Sequence, residues 1–157
     1  MNRSLESIID HHPFFQGMKP QHLAMLHKGA KEVRYRPGET MFSEGEPANR
    51  FFLIQQGNVL LEVHEPADGT AAVQMVPAGD VVGWSWLFPP FTWHLRARAL
   101  EHTTVIVLDG AHLLSTSEAH HDFGYELMKR VAQVVIQRLQ STRRQLLDLR
   151  IEEALQS

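Results

Sequence analysis

The stretch Phe51-Phe52-Leu53-Ile54-Gln55-Gln56-Gly57-Asn58-Val59-Leu60-Leu61-Glu62-Val63-His64 decides the reading of this chain. Phe51 to Ile54 is a buried apolar run, and Gln56-Gly57-Asn58 is a turn signal. Val59, Leu61 and Val63 then alternate with Leu60, Glu62 and His64, the period of a strand with one face in a core. Outward from there the same period recurs. Val33 and Tyr35 alternate with Arg34 and Arg36, Val73 and Met75 alternate again, and Leu95, Ala97 and Ala99 alternate with His94, Arg96 and Arg98. Val105-Ile106-Val107-Leu108 is the last run. Turn signals separate them at Pro37-Gly38-Glu39, Glu44-Gly45-Glu46-Pro47, Ala67-Asp68-Gly69 and Pro77-Ala78-Gly79-Asp80. About seven or eight short strands at this spacing predict an antiparallel sandwich or barrel.

Helical patterns flank the strands. Leu5, Ile8 and Ile9 form one stripe that Pro13 ends, and Leu23 and Leu26 mark a second short helix entered at Pro20. From about Glu118 onward a single long helix is expected. Met128, Ala132, Val135, Leu139, Thr142, Leu146 and Leu149 follow one another at alternating steps of four and three, the a/d seam of a coiled coil. Leu127, Val131 and Val134 lie on an adjacent face. One face can therefore pack on the chain's own barrel while the seam meets a second copy in a parallel homodimer. The chain divides into a helical segment over 1–29, a β-roll over 30–110 and C-terminal helices over 111–157.

Composition narrows the function classes. The 157 residues suffice for one domain with a real core, and 43% hydrophobic with 21% charged residues is a globular balance. Fifteen Lys and Arg against eighteen Asp and Glu leave a net charge of -3, unlike a surface built to trap nucleic acid. With no cysteine, disulfide scaffolds, thiolate zinc sites, iron–sulfur clusters and cysteine nucleophiles are excluded. His11-His12 and His120-His121 are adjacent pairs that diverge by about 100° on a helix, so neither clamps a metal. Each histidine is expected to be solvated or capping. Ser85, Ser115 and Ser117 lack a GxSxG elbow, and no phosphate or dinucleotide loop appears. No enzyme is expected. The start at Met1-Asn2-Arg3 has no apolar signal core, and Val81 to Leu95 is too short to span a membrane. A cytoplasmic location follows as the default.

Helix, eight-stranded roll and long dimer helix, in that order, resemble the cyclic nucleotide-binding domain of the catabolite-activator (Crp/Fnr-like) type. Phe14-Phe15, Leu23 and Leu26 look like its opening helix. Arg36-Pro37-Gly38-Glu39-Thr40-Met41-Phe42 and Glu44-Gly45-Glu46-Pro47-Ala48 match its first turns, and Phe51 to Gly57 its next strand. Gly79-Asp80-Val81-Val82-Gly83 resembles the lead-in to its phosphate-binding cassette. The resemblance runs from about His12 to Arg150. It implies a mainly β, jelly-roll-like antiparallel roll (a double-stranded β-helix) between short helices and a dimerisation helix.

The cassette departs from what the resemblance implies. There a glycine precedes a glutamate for the ribose hydroxyl, and an arginine, a hydroxyl residue and an alanine hold the cyclic phosphate. Here Gly83 is followed by Trp84, and the segment continues Ser85-Trp86-Leu87-Phe88-Pro89-Pro90-Phe91-Thr92-Trp93. Phe91 stands in the arginine position, Thr92 keeps the hydroxyl and Trp93 replaces the alanine. Removing one partner of a buried charge pair costs about 2–5 kcal/mol, roughly thirty-fold or more in affinity. Arg96 and Arg98 cannot substitute if Ala97 and Ala99 face inward.

Two readings stand side by side: Trp84, Trp86, Phe88, Phe91 and Trp93 either fill the former pocket or line a different one for a flat or apolar ligand. Arg138-Leu139-Gln140-Ser141-Thr142 resembles the part of the dimer helix that reaches a bound base. Thr142 is thus a ligand contact or a register-setting polar residue, with Arg143 as the nearest cation. Arg138, Arg143, Arg144 and Arg150 otherwise read as a solvated face. The expectation is a regulatory module, sensing a small molecule or binding a partner protein, with no certain cofactor and a cyclic nucleotide disfavoured. The alternative is a cyclic AMP-type sensor using Arg143 or backbone amides for the phosphate. Only seven residues follow Arg150, so direct DNA binding through an appended helix-turn-helix is not expected.

Overall fold

The computed structural model describes residues 4–65, 67 and 69–156. The expectation for Met1-Asn2-Arg3 and the Asp68 part of the turn at 67–69 lie outside the described residues. Two short helices, α1 (Leu5–Asp10) and α2 (Pro20–Ala24), flank a 3₁₀ turn at Pro13–Phe15. Ser4 caps α1 by accepting from the Ser7 amide. Eight strands follow: β1 (Lys31–Tyr35), β2 (Thr40–Phe42), β3 (Arg50–Gln56), β4 (Asn58–Glu65), β5 (Gly69–Pro77), β6 (Val81–Val82), β7 (Arg96–Ala99) and β8 (Thr103–Asp109). They form two antiparallel four-stranded sheets, ordered β1-β8-β3-β6 and β2-β7-β4-β5. The eight-stranded roll is as expected.

The run Phe51 to Ile54 is buried throughout because β3 has a core on each side. Phe52 and Ile54 join Val82, Val105 and Val107 inside the roll. Phe51 and Leu53 join Val81, Ile106 and Leu108 on the opposite face, beneath the helices. The turn at Gly57 has φ near 96°, and a Cβ there would meet the Thr103 side chain at 2.4 Å, so only glycine fits.

The C-terminal part is two helices. Helix α3 (Gly110–Ala119) is capped by Asp109, and helix α4 (His121–Gln156) starts at His121 rather than Glu118, because His120 leaves the helical conformation. Phe123, Leu127 and Val131 of α4 enter the core beneath the helices. Met128, Val135, Leu139, Leu146 and Leu149 are exposed on this single chain, as are Ala132 and Thr142.

Two histidines are buried rather than solvated, and one of them, His12, is a capping residue, as the expectation allowed. His12 is buried, its Nε2–H donating to the Ile54 carbonyl at 3.1 Å and its Nδ1 accepting from the Phe14 amide at 3.2 Å. His12 also caps the 3₁₀ turn by that second bond. His22 is buried too, and its Nε2–H donates to Asp122 at 3.1 Å, tying α2 to the start of α4. Burial holds the His12 pKa below its ordinary value, against the Ile54 hydrogen bond and the Asp80 charge that favour protonation. No helix among the described residues is long and apolar enough to cross a membrane.

Candidate ligand cavity between cassette and long helix

The cassette residues separate because the chain turns twice between Gly83 and Trp93. Gly83 sits at φ near 91°, where a Cβ would press on Trp93 and Phe52 at 3.0 and 3.1 Å. The 3₁₀ turn Ser85–Leu87 then points Trp86 away from the roll. Trp86 packs edge-on against Phe51 in the core beneath the helices, its indole donating to the Gly83 carbonyl at 2.7 Å. A cis Pro89-Pro90 bond and a left-handed Phe91 (φ 56°) reverse the chain. Thr92 bridges to Pro47, and Trp93 is exchanged with the turn before it, its amide donating to the Glu46 carbonyl at 3.0 Å. The Trp93 ring ends inside the roll, stacked on Phe42 at 4.0 Å.

A cavity of about 120 Å³ remains, lined by Phe42, Leu61, Val82, Gly83, Trp84, Ser85, Trp93, His94, Leu95 and Arg138. Of the residues singled out in the sequence, Gly83, Trp84, Ser85 and Trp93 meet there. Trp86 faces the other core, and Phe91 is 40% exposed and outside the cavity with Thr92. The expected cluster of five aromatics therefore does not fill one space. Thr142 and Arg143 are exposed further along α4, the Thr142 hydroxyl donating to the Arg138 carbonyl at 2.9 Å. On this chain neither lines the cavity.

The cation at the cavity is Arg138, which corrects its placement on a solvated face. Its side chain is only 12% exposed. The guanidinium stacks over Trp84 at 4.7 Å, lies 3.4 Å from Asp80 and donates to the Val81 carbonyl. Burial pulls its pKa down and Asp80 opposes that, but a guanidinium stays charged. The signal was present in the sequence. Arg138 lies seven residues after Val131 and four after Val134, on the face that α4 turns to the barrel.

Arg96 and Arg98 face out, as the alternation required, with Ala97 and Ala99 buried. Both embrace Glu62 on the outer face of the second sheet, Arg98 at 2.6 Å and the Arg96 Nε at 2.8 Å. Glu62 is 2% exposed. Desolvation opposes its ionisation, but the two guanidiniums prevail and hold its carboxyl below the usual carboxylate range.

Beside the cavity, and sharing Trp84, Ser85 and His94 with it, lies a groove of about 550 Å³ whose other wall includes Met128, Val131, Ala132, Val135 and Ile136 of α4. Phe88, 57% exposed, closes one side of it. The helix seam and the cassette therefore share a surface. Among the described residues no group of His, Asp and Glu is placed to hold a metal ion.

Known proteins share this fold. A crystal structure of a protein from Geobacter metallireducens GS-15 named for cyclic nucleotide binding superposes with a TM-score of 0.78 at 26% identity, covering 87% of this chain and 99% of that one. The regulatory subunit of a cAMP-independent protein kinase A from Trypanosoma brucei shares the fold with a TM-score of 0.66 at 19% identity, over 81% of this chain and 45% of that one. In sequence, the chain is 26% identical over 145 residues to a CRP-like cAMP-activated global transcriptional regulator of Mycobacterium tuberculosis (strain CDC 1551 / Oshkosh). That match takes in 92% of this chain and 63% of the regulator, so the chain spans less than two thirds of that relative's length. Residues 32–120 match the family model of the cyclic nucleotide-binding domain. With the roll, the opening helices and the long α4 in the family's order, this chain belongs to the cyclic nucleotide-binding domain family.

Proposed function

We propose that the chain is a non-enzymatic, ligand-sensing regulatory module that works as a homodimer through α4 and is not a high-affinity receptor for cyclic AMP or cyclic GMP. The observation that carries this reading is the Trp93 ring inside the roll. It leaves about 120 Å³, well below the ~300 Å³ at the lower end of ordinary ligand pockets. The charges agree. The cassette itself supplies neither a cation nor a carboxylate, Arg96 and Arg98 are engaged by Glu62, and Arg138 is paired with Asp80. Fold alone does not decide the ligand, since similar folds carry names as cAMP-activated and as cAMP-independent. The exposed stripe along α4, beginning beside the cassette, supports dimerisation there and gives a ligand a route to the helix.

Calorimetry with cyclic AMP and cyclic GMP tests the reading. Binding weaker than about 100 μM is expected from the lost charge pair. A low-micromolar constant for either nucleotide would overturn it.

A further inference from the structure

Four buried side-chain nitrogens lack a hydrogen-bond partner among the described residues: His22 Nδ1, Trp93 Nε1, Arg130 Nε and Arg138 Nε. Two of them belong to residues that line the same cavity of about 120 Å³. Trp93 Nε1 and Arg138 Nε are both donors without acceptor capacity, and a buried N–H left unpaired forfeits its hydrogen bonds to water. The cavity wall contains no carboxylate to answer them, because Asp80 meets Arg138 through Nη2, outside that wall. Ser85 and His94 are the other polar side chains of the wall, and neither can carry a negative charge, so what the site lacks is an anionic acceptor.

The remaining wall restricts what brings the acceptor. Phe42, Leu61, Val82 and Leu95 are apolar. Asp80 already offsets part of the Arg138 charge, which disfavours a dianion such as phosphate. The volume equals about four water molecules at ~30 Å³ each. Building on the ligand-sensing reading above, we infer that this cavity binds the carboxylate of a short organic acid, its oxygens taking the Arg138 and Trp93 N–H groups and its hydrocarbon body lying against Phe42, Leu61 and Leu95. The acid thereby bridges β-roll and α4, because Trp93 comes from the cassette and Arg138 from the helix.

The test is calorimetry at constant ionic strength on the whole chain. Its panel is acetate, butyrate, benzoate and octanoate, with butyramide as neutral isostere, inorganic phosphate and cyclic AMP. Saturable binding of butyrate or benzoate is expected, with octanoate, butyramide and phosphate weaker. Arg138→Gln should raise the Kd about tenfold or more, the scale of one hydrogen bond to a charged group. Trp93→Phe removes the N–H and keeps an aromatic ring beside Phe42, although the smaller phenyl also widens the cavity, so it should raise the butyrate Kd several-fold even if Arg138→Gln folds poorly. Arg144→Gln, exposed on α4, should change nothing. In amide-proton NMR the Trp93 indole N–H should shift on adding butyrate. No saturable binding of any carboxylate, binding indifferent to both variants, or tighter phosphate binding would overturn the inference and leave the ligand-sensing reading standing. Low-micromolar cyclic AMP in the same panel would instead overturn that reading.

Discussion

At Gly83 two constraints coincide, a positive φ and the closeness of Trp93 and Phe52. Gly83→Ala should therefore lower unfolding stability by about 1–2 kcal/mol or more from the left-handed conformation alone, read from urea denaturation. Glu62 is the opposite case, a residue whose worth lies in its partners. Glu62→Gln should cost about 2 kcal/mol, less than the ~3–5 of a fully buried pair, because both arginines keep about a third of their surface in water. The sign with pH follows from the depressed carboxyl. Its contribution is complete above the unfolded-state value of about 4.3 and is lost as pH falls through the lower folded value, so Glu62→Gln should flatten the acid limb. His12 adds an earlier slope. Its two hydrogen bonds require the neutral ring, and its folded pKa is depressed. Stability should fall as pH drops below about 6.5, and denaturation midpoints of His12→Gln should lack that slope.

Helix α4 carries two faces with different fates. Leu127 and Val131 are buried in the core, whereas Val135, in the wall of the cassette groove, and Leu139, one turn further on, stand exposed. Val135→Asp with Leu139→Asp should turn a dimer into a monomer without unfolding the roll, measured by light scattering and circular dichroism. A wild-type chain that is monomeric at tens of micromolar would defeat the dimer. The same helix marks what the sequence could tell. Strand periods and glycine turns are local signals, so the roll and the two stripes of α4 were legible. The directions of Trp86 and Trp93 were not, because they depend on a 3₁₀ turn and a reversal at Phe88 to Thr92 that no period announces. Arg138 was placeable from its spacing to Val131. Its charge suggested solvent, and it is the Asp80, Val81 and Trp84 partners, far away in sequence, that make its burial tolerable.

In the whole molecule, the sheet β1-β8-β3-β6 belongs to both cores at once, Phe51 and Leu53 on one side and Phe52 and Ile54 on the other. The two cores should therefore melt together. Leu108→Ala, beneath the helices, and Ile54→Ala, inside the roll, should each cost about 2–5 kcal/mol and shift one shared transition rather than split it. Separate transitions by calorimetric scanning would contradict the shared sheet. The three tryptophans lie across this construction: Trp93 in the roll, Trp86 under the helices and Trp84 against the α4 guanidinium. The chain thus carries three native lamps at three depths, and its tryptophan emission is their sum. With Trp86 and Trp93 changed to Phe, the remaining light comes from the joint between barrel and helix, and its colour and polarisation record each departure of Arg138 from Trp84.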